Sequence, residues 1–446
     1  MGVFCWCITS VLIAVACTVS ATPYFIHISD PHIDSNYKVN ASVDCSFHSF
    51  GIPCCHDLDP SLPPEKRAPM FGHQNCETPI QTFTGMVQVV AKQYPKPELV
   101  LMTGDMASHD IFYEDPDTIA QKWDFVFKTV KQYFGQNVKI ICTIGNFDAY
   151  PFDQMADNQT DEVITKLADV MYSHGVIHKD IEYEDVFSQH GFYKTSIPNS
   201  NVDAIVVNTI LSHPKNGETD PNNPDPAGMY SWMQKRLAES AAAKRKVWIV
   251  GHVPPLHGSV LQREVDMFRS LIIRFVDSGT VTASFFGHSH NDEFFLSGMR
   301  NLKDNARFVG YIAPGLTTSN YCVPAIRVVD VESSDLTIVD WRQYRIDLPK
   351  SNSAGKVILN HLYDFRDYYD VPDMSPKSFQ YISKSILTNV TIANRYINAR
   401  FGWDMGGCGE ACRKMYFCLT SFRETAELNK SCYESSYSEL VESLDN

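Results

Sequence analysis

Five apolar stretches of this chain stop abruptly at residues able to hold a metal ion, and this recurrence limits the possible folds more than any other feature. Tyr24-Phe25-Ile26-His27-Ile28 runs into Ser29-Asp30-Pro31-His32, and Leu99–Met102 runs into Thr103-Gly104-Asp105. Val138–Ile144 ends at Gly145-Asn146-Phe147-Asp148, Lys246–Val250 at Gly251-His252, and Val281–Phe286 at Gly287-His288-Ser289-His290. Near-continuous apolar runs of this length are strands buried on both faces. A buried strand that ends in ligating side chains delivers them to a crevice beyond the sheet edge. If the first segment stays extended, Asp30 and His32, two apart, leave the backbone on the same side.

The stretches between these runs have helical periodicity: Ile80–Gln93, Thr118–Phe134, Asp161–Tyr172, Met229–Ala243 and Arg263–Val276. Strand alternating with helix predicts an α/β domain with a mostly parallel sheet. Shorter strand-like runs near 293–298, 308–313, 324–331 and 335–342 have no helices between them, so a second sheet is expected to pack on the first. Beyond Pro349 the pattern turns helical over Asn352–Tyr363, Lys377–Thr388 and Ala411–Glu427. The expected layout is a leader over 1–21, an α/β domain over 22–348 and a helical C-terminal subdomain over 349–446.

Residues 1–21 carry no charge, an apolar core from Val11 to Ala16 and the small residues Val19-Ser20-Ala21, which reads as a cleaved secretory signal. Tripeptide acceptors for N-glycans at Asn40, Asn158, Asn389 and Asn429 agree with export. Outside the leader, two tight cysteine clusters suit an oxidising compartment. In the loop-rich stretch 45–76, Cys45, Cys54, Cys55 and Cys76 leave three connectivities open, of which Cys45–Cys54 with Cys55–Cys76 is the simplest. In the tail, Cys408 and Cys412 lie one helical turn apart, and Cys418 with Cys432 would close the remaining loop. A formal net charge of −14 argues against a surface that coats nucleic acid, and the polar C-terminus lacks a lipid-anchor signal. The expected product is a secreted or lysosomal-lumen glycoprotein, monomeric and without a stable membrane anchor.

Any one of these histidines could be an ordinary core residue; together they form a ligand set. Asp30, His32, Asp105, Asn146, His252, His288 and His290 are too many for one tetrahedral ion and suit two. Asp105, alone at its strand end, is the natural bridge. The expected sharing puts Asp30, His32, Asp105 and His290 on one ion and Asp105, Asn146, His252 and His288 on the other. The ions outweigh the two carboxylates, so the crevice stays positive and suits a small phosphate ester attacked by a hydroxide held between the ions. The leaving alkoxide then needs an acid, and His109, four residues after Asp105, is in the right neighbourhood.

Asp-x-His, Gly-Asp, Gly-Asn-x-Asp, Gly-His and Gly-His-x-His, in this order over roughly residues 24–345, resemble the calcineurin-like metallophosphoesterases. Gly104-Asp105-Met106-Ala107-Ser108-His109, with the insert cysteines and the cysteines of the tail, is similar to the acid sphingomyelinase-like phosphodiesterases. The resemblance implies a two-sheet sandwich flanked by helices, two zinc ions, hydrolysis of phosphodiester or nucleotide pyrophosphate bonds, and the disulfide pairing given above. It also sets two departures. The first strand begins right after the leader, without the lipid-presenting domain of acid sphingomyelinase, which points to soluble substrates such as nucleotides or phosphocholine esters. Phe147 stands where the family carries a histidine beside the scissile phosphate, so a catalytically weakened, metal-loaded binding protein is the alternative to an enzyme.

Overall fold

The computed structural model describes residues 22–44, 54–178, 187–256, 258–301, 303–319 and 322–445. The expected leader and Cys45, with its pairing to Cys54, lie outside these residues.

The strands are β1 (Tyr24–Ile28), β2 (Ile33–Asp34), β3 (Thr78–Pro79), β4 (Val100–Met102), β5 (Ile140–Cys142), β6 (Tyr193–Ser196) and β7 (Val202–Val206). They continue with β8 (Lys246–Val250), β9 (Val281–Phe286), β10 (Glu293–Ser297), β11 (Phe308–Ile312), β12 (Ala325–Val331), β13 (Ile338–Ile346) and β14 (Leu359–Asp364). One six-stranded sheet has the order β14-β13-β12-β1-β4-β5, the other β10-β11-β9-β8-β7-β6. Within the first, β1, β4 and β5 run parallel while β12, β13 and β14 alternate antiparallel. In the second, β7, β8, β9 and β11 are parallel, with antiparallel β6 and β10 at the edges.

The sheets pack face to face through large apolar side chains. Phe25 of β1 lies 5.1 Å from Trp248 of β8 and 5.6 Å from Phe285 of β9, ring centroid to centroid. All three rings are essentially solvent-free. The C-terminal ends of β1, β4 and β5 in one sheet and β8 and β9 in the other therefore open on one shared edge. Helices Ile80–Gln93 and Pro116–Phe134 cover the first sheet with apolar faces that include Phe83, Val87, Trp123 and Phe127. Asp115 caps the second of these by accepting from Thr118 N at 2.7 Å.

The C-terminal part departs from the expected pattern. The helix expected over Asn352–Tyr363 stops at Ala354, where Gly355 takes a left-handed φ of 65°. The chain then extends as β14 on the edge of the first sheet, so that sheet continues past residue 348. Ala411–Glu427 is two helices, Glu410–Ser421 and Ala426–Glu434, and Thr425 caps the second. A further helix, Val390–Phe401, begins directly after Pro376–Thr388 because the Asn389 side chain accepts from Thr391 N and Ile392 N. Disulfides join Cys55–Cys76, Cys408–Cys412 and Cys418–Cys432.

Candidate metal centre and its leaving-group side

The seven side chains singled out from the sequence meet at the shared strand edge. Asp105 Oδ2 lies 3.5 Å from His32 Nε2 and 3.2 Å from His252 Nε2. Asp30 Oδ1 is 3.6 Å from His290 Nε2, and His290 Nε2 is 3.0 Å from His32 Nε2. On the other side, Asn146 Oδ1 is 3.0 Å from both His252 Nε2 and His288 Nδ1. Two groups of ligand atoms that include Asp105 result, Asp30, His32, Asp105 and His290 in one and Asp105, His252 and His288 in the other; a third, His32, His109 and His290, brings His109 to the edge of the first. Asp105 belongs to the first two, and Asn146 sits on the second.

The backbone reaches this convergence by a route the sequence did not suggest. Asp30 and His32 are not in extended geometry: their φ values are 46° and 42°. Asp105, His288 and His290 are left-handed as well, at 56°, 72° and 58°. Side chains rarely adopt this region, and clusters of it belong to sites whose surroundings over-determine the conformation. Close backbone approach explains two of the glycines. A Cβ on Gly145 would lie 2.1 Å from Asp105 Oδ1, and one on Gly287 would lie 2.1 Å from Ser29 Oγ.

The hydrogen bonds behind the cage fix which atoms point inward. His32 Nδ1 donates to Ala107 O at 2.8 Å and His252 Nδ1 donates to Thr103 O at 2.6 Å. Each of these rings therefore turns its Nε2 toward the centre. Asn146 Nδ2 donates to Asp153 Oδ1 at 2.9 Å, which turns its Oδ1 inward. Nitrogen and oxygen acceptors thus crowd one centre at about hydrogen-bond distance, with only the proton that Asp105 draws onto His252 among them. A cation between them resolves that conflict, and the nitrogen and oxygen donor set fits divalent ions of the zinc type.

The titration of the cage carries the same message. Burial pushes the Asp30 carboxyl up to about 7, His252 offsets this in part, and the charge of Asp105 adds to it. Burial also opposes ionisation of Asp105, but the His252 imidazolium against it holds its carboxyl well below the usual range. Burial opposes the charge on His252 too, yet Asp105 in turn raises it to about 9. Burial lowers His32 and His290, and keeps both neutral. Two buried carboxylates this close ionise unequally, and a cation between them would let both stay charged.

Asp148, the last residue of the Asn146 motif, ties the loops together. It accepts from Asp105 N at 2.8 Å, Met106 N at 2.9 Å, Gly145 N at 2.9 Å and Trp123 Nε1 at 3.0 Å. One buried carboxylate thereby fixes the β4 and β5 loops relative to each other.

His109 stands just outside the cage, stacked on His32 with ring centroids 3.7 Å apart. Its Nδ1 donates to Glu77 at 3.0 Å, so Nε2 is the free nitrogen. Burial lowers the His109 pKa, but Glu77, with Asp105 and Asp30 behind it, outweighs this and raises it above that of an ordinary histidine. Phe147 is half-buried with its ring 4.5 Å from His109 and stacked on Phe152. His213 approaches His288 at 6.0 Å and Asp153 at 3.6 Å. Cys322 Sγ lies 3.9 Å from His290 Nδ1. His27 Nε2 is 3.2 Å from Thr103 Oγ1, behind the cage and outside it.

Sequence alone assigns no role to Glu77, Asp148 or Asp153. Asp148 had a signal, its fixed place in Gly-Asn-x-Asp. Glu77 and Asp153 had none beyond being acids near a cysteine and near a motif. The four glycan acceptors lie at the surface, Asn40, Asn158 and Asn389 exposed and Asn429 partly so.

A two-sheet α/β sandwich with a metal-ready cage at its strand edge defines a protein of the metallophosphoesterase class. The calcineurin-like phosphoesterase model matches residues 23–292, and the chain belongs to that family. It is similar to sphingomyelin phosphodiesterase B of Dictyostelium discoideum, 26% identical over 84% of this chain and 59% of that protein. It is also similar to acid sphingomyelinase-like phosphodiesterase 3b of Homo sapiens, 25% identical over 88% of this chain and 86% of that one. The cyclic GMP-AMP phosphodiesterase of Homo sapiens aligns at 25% identity over the same shares, 88% and 86%. The chain thus spans under two thirds of the length of the first relative. Among the described residues no helix is long and apolar enough to cross a membrane.

Proposed function

We propose that this chain hydrolyses phosphodiester or nucleotide pyrophosphate bonds of small soluble substrates. Asp30, His32, Asp105 and His290 hold one divalent ion; Asp105, Asn146, His252 and His288 hold the other. Zinc is the metal that best suits the imidazole-rich set. When bound, the ion pair supplies an activated hydroxide and neutralises charge on the phosphoryl oxygens. His109, oriented by Glu77, gives its Nε2 proton to the leaving oxygen, and Asp148 keeps the β4 and β5 loops in register. The observation that carries this reading is the convergence of imidazoles on Asp105, the one carboxylate common to two groups of ligand atoms.

Names among the relatives cover a lipid and a cyclic dinucleotide as substrates. The soluble class is preferred because a net charge of −14 disfavours residence on an anionic bilayer. We take residues 22–348 together with β14 as the metallophosphoesterase domain and the rest of 349–446 as its helical companion, in a monomeric glycoprotein exported through the secretory route to the extracellular space or the lysosomal lumen. The zinc-loaded protein should cleave bis-p-nitrophenyl phosphate, whose leaving group needs little protonation. No turnover there, with two equivalents of metal bound, overturns the enzyme reading.

Phe147 favours a second reading. Its ring lies 4.5 Å from His109 and 5.6 Å from His32, and it can neither donate a proton nor hold a phosphate oxygen. A metal-loaded binding protein would then retain nucleotides without cleaving them, which equilibrium binding measured beside turnover would detect.

A further inference from the structure

The Cys55–Cys76 disulfide carries, next to each of its halves, a residue that grips the loop bearing His109. Glu77 follows Cys76 and accepts from His109 Nδ1 at 3.0 Å. His56 follows Cys55 and donates from Nε2 to Asp34 Oδ2 at 2.8 Å. Its Nδ1 lies 3.5 Å from Asp110 Oδ2, an ion-pair distance. Asp110 is the residue after His109, so neighbouring positions of one loop are held by neighbours of the two bonded cysteines. Both grips are buried, His56 at 5% exposure and Glu77 at 6%.

The inner side of the same loop is secured differently. Ser108 Oγ donates to Glu114 Oε1 at 2.5 Å, and Lys122, on helix Pro116–Phe134, donates to Ser108 Oγ at 3.2 Å and pairs with Glu114. The outer side has little regular structure of its own. Cys55 N donates to Ser42 O at 3.0 Å and Thr318 Oγ1 donates to Cys76 O at 2.7 Å, which tie each cysteine separately to the body. The covalent bond makes the two grips one unit; without it they are separate groups at the ends of a 21-residue separation.

We propose that the Cys55–Cys76 disulfide with His56 and Glu77 is a positioning clamp for His109. It sets where His109 presents its free nitrogen, while the ligands of the ion cage come from the strand ends and His32 and His252 are fixed from behind by Ala107 O and Thr103 O. His56 and Glu77 are positioning residues that act through His109. The proposal rests on the reading of His109 as the leaving-group acid.

The test compares bis-p-nitrophenyl phosphate, which needs little acid help, with diphenyl phosphate, which needs more, on zinc-loaded protein of measured metal content. His56→Gln should keep two metal equivalents, hold the nitrophenyl ester within about twofold, and lose about tenfold on the phenyl ester, part of the roughly 10²–10⁴-fold that a positioned acid contributes. The paired change Cys55→Ser with Cys76→Ser should give the same selective loss and covers the case in which His56→Gln fails to fold. Placed in a His109→Ala background, His56→Gln should add no further loss, because its effect runs through the missing imidazole. Equal losses on both esters, or an additive loss in the His109→Ala background, overturns the clamp and leaves the acid assignment standing. No selective effect of His109→Ala itself removes the acid assignment, and the clamp with it.

Discussion

The ion cage draws its seven side chains from the ends of five strands in two sheets. The leaving-group side, across the stacked rings of His32 and His109, is assembled from a loop, an insert and a disulfide. The cage is held from behind by the sheets: Thr103 O and Ala107 O each fix an imidazole, and Asp148 ties two loops. His109 is held by Glu77 at 3.0 Å and by the loop around it, with Phe147 filling the adjacent space. One half is therefore set by the core of the fold, while the other is set by a loop, an insert and a disulfide. A site so divided can keep its metals and change what it does with them.

The largest effect expected is on the cage. Asp105→Ala removes the one carboxylate common to both ligand groups and should lower metal content below two equivalents. Turnover of both phenyl and p-nitrophenyl esters should then fall together, by more than the roughly 10²–10³-fold lost with a single electrostatic stabiliser. Elemental analysis beside the two rates checks this, and retention of both ions would break the division drawn above. His109→Ala comes next: two metal equivalents retained, a fall of roughly 10²–10⁴-fold on the phenyl ester, and little change on the nitrophenyl ester. Asp153→Ala should do less and only to the cage. With its Nδ2 partner gone, Asn146 loses its fixed orientation. Affinity for one of the two ions should then fall roughly 10–100-fold in chelator competition while the other is kept.

The two halves also differed in what the sequence disclosed. Strand-end ligands stand out because an apolar run cannot end in Gly-His-Ser-His or Gly-Asp without a reason, and the order of five such ends is readable along the chain. The geometry that joins them was not readable, because it lies in left-handed backbone at Asp30, His32, Asp105, His288 and His290, where the spacing rules for extended chain fail. On the acid side His109 could be placed by its neighbourhood, but Glu77 comes from 32 residues earlier and shows no periodicity. The helix expected over Asn352–Tyr363 failed for a local reason: Gly355 stopped it and the first sheet still had an edge to cover. His361 and Tyr363 there follow a pairing decided by β13, which no local pattern encodes.

The smallest effect tests whether the acid side is damaged or merely different. Phe147→His places an imidazole where a ring already packs 4.5 Å from His109 and 5.6 Å from Phe152. The position is half-buried and the backbone is fixed by Phe147 N donating to Asp105 Oδ1 at 2.8 Å, so the exchange costs little packing and leaves the cage alone. If His109 already supplies most of the proton transfer, the variant gains about tenfold or less on the phenyl ester and nothing on the nitrophenyl ester. A gain of several hundredfold would mean that His109 contributes little by itself and that the native chain keeps its ions chiefly to bind. No gain at all, with two equivalents of metal present, would mean that His109 and its partners already do the work of the missing imidazole, and that the acid side has been rebuilt around Phe147.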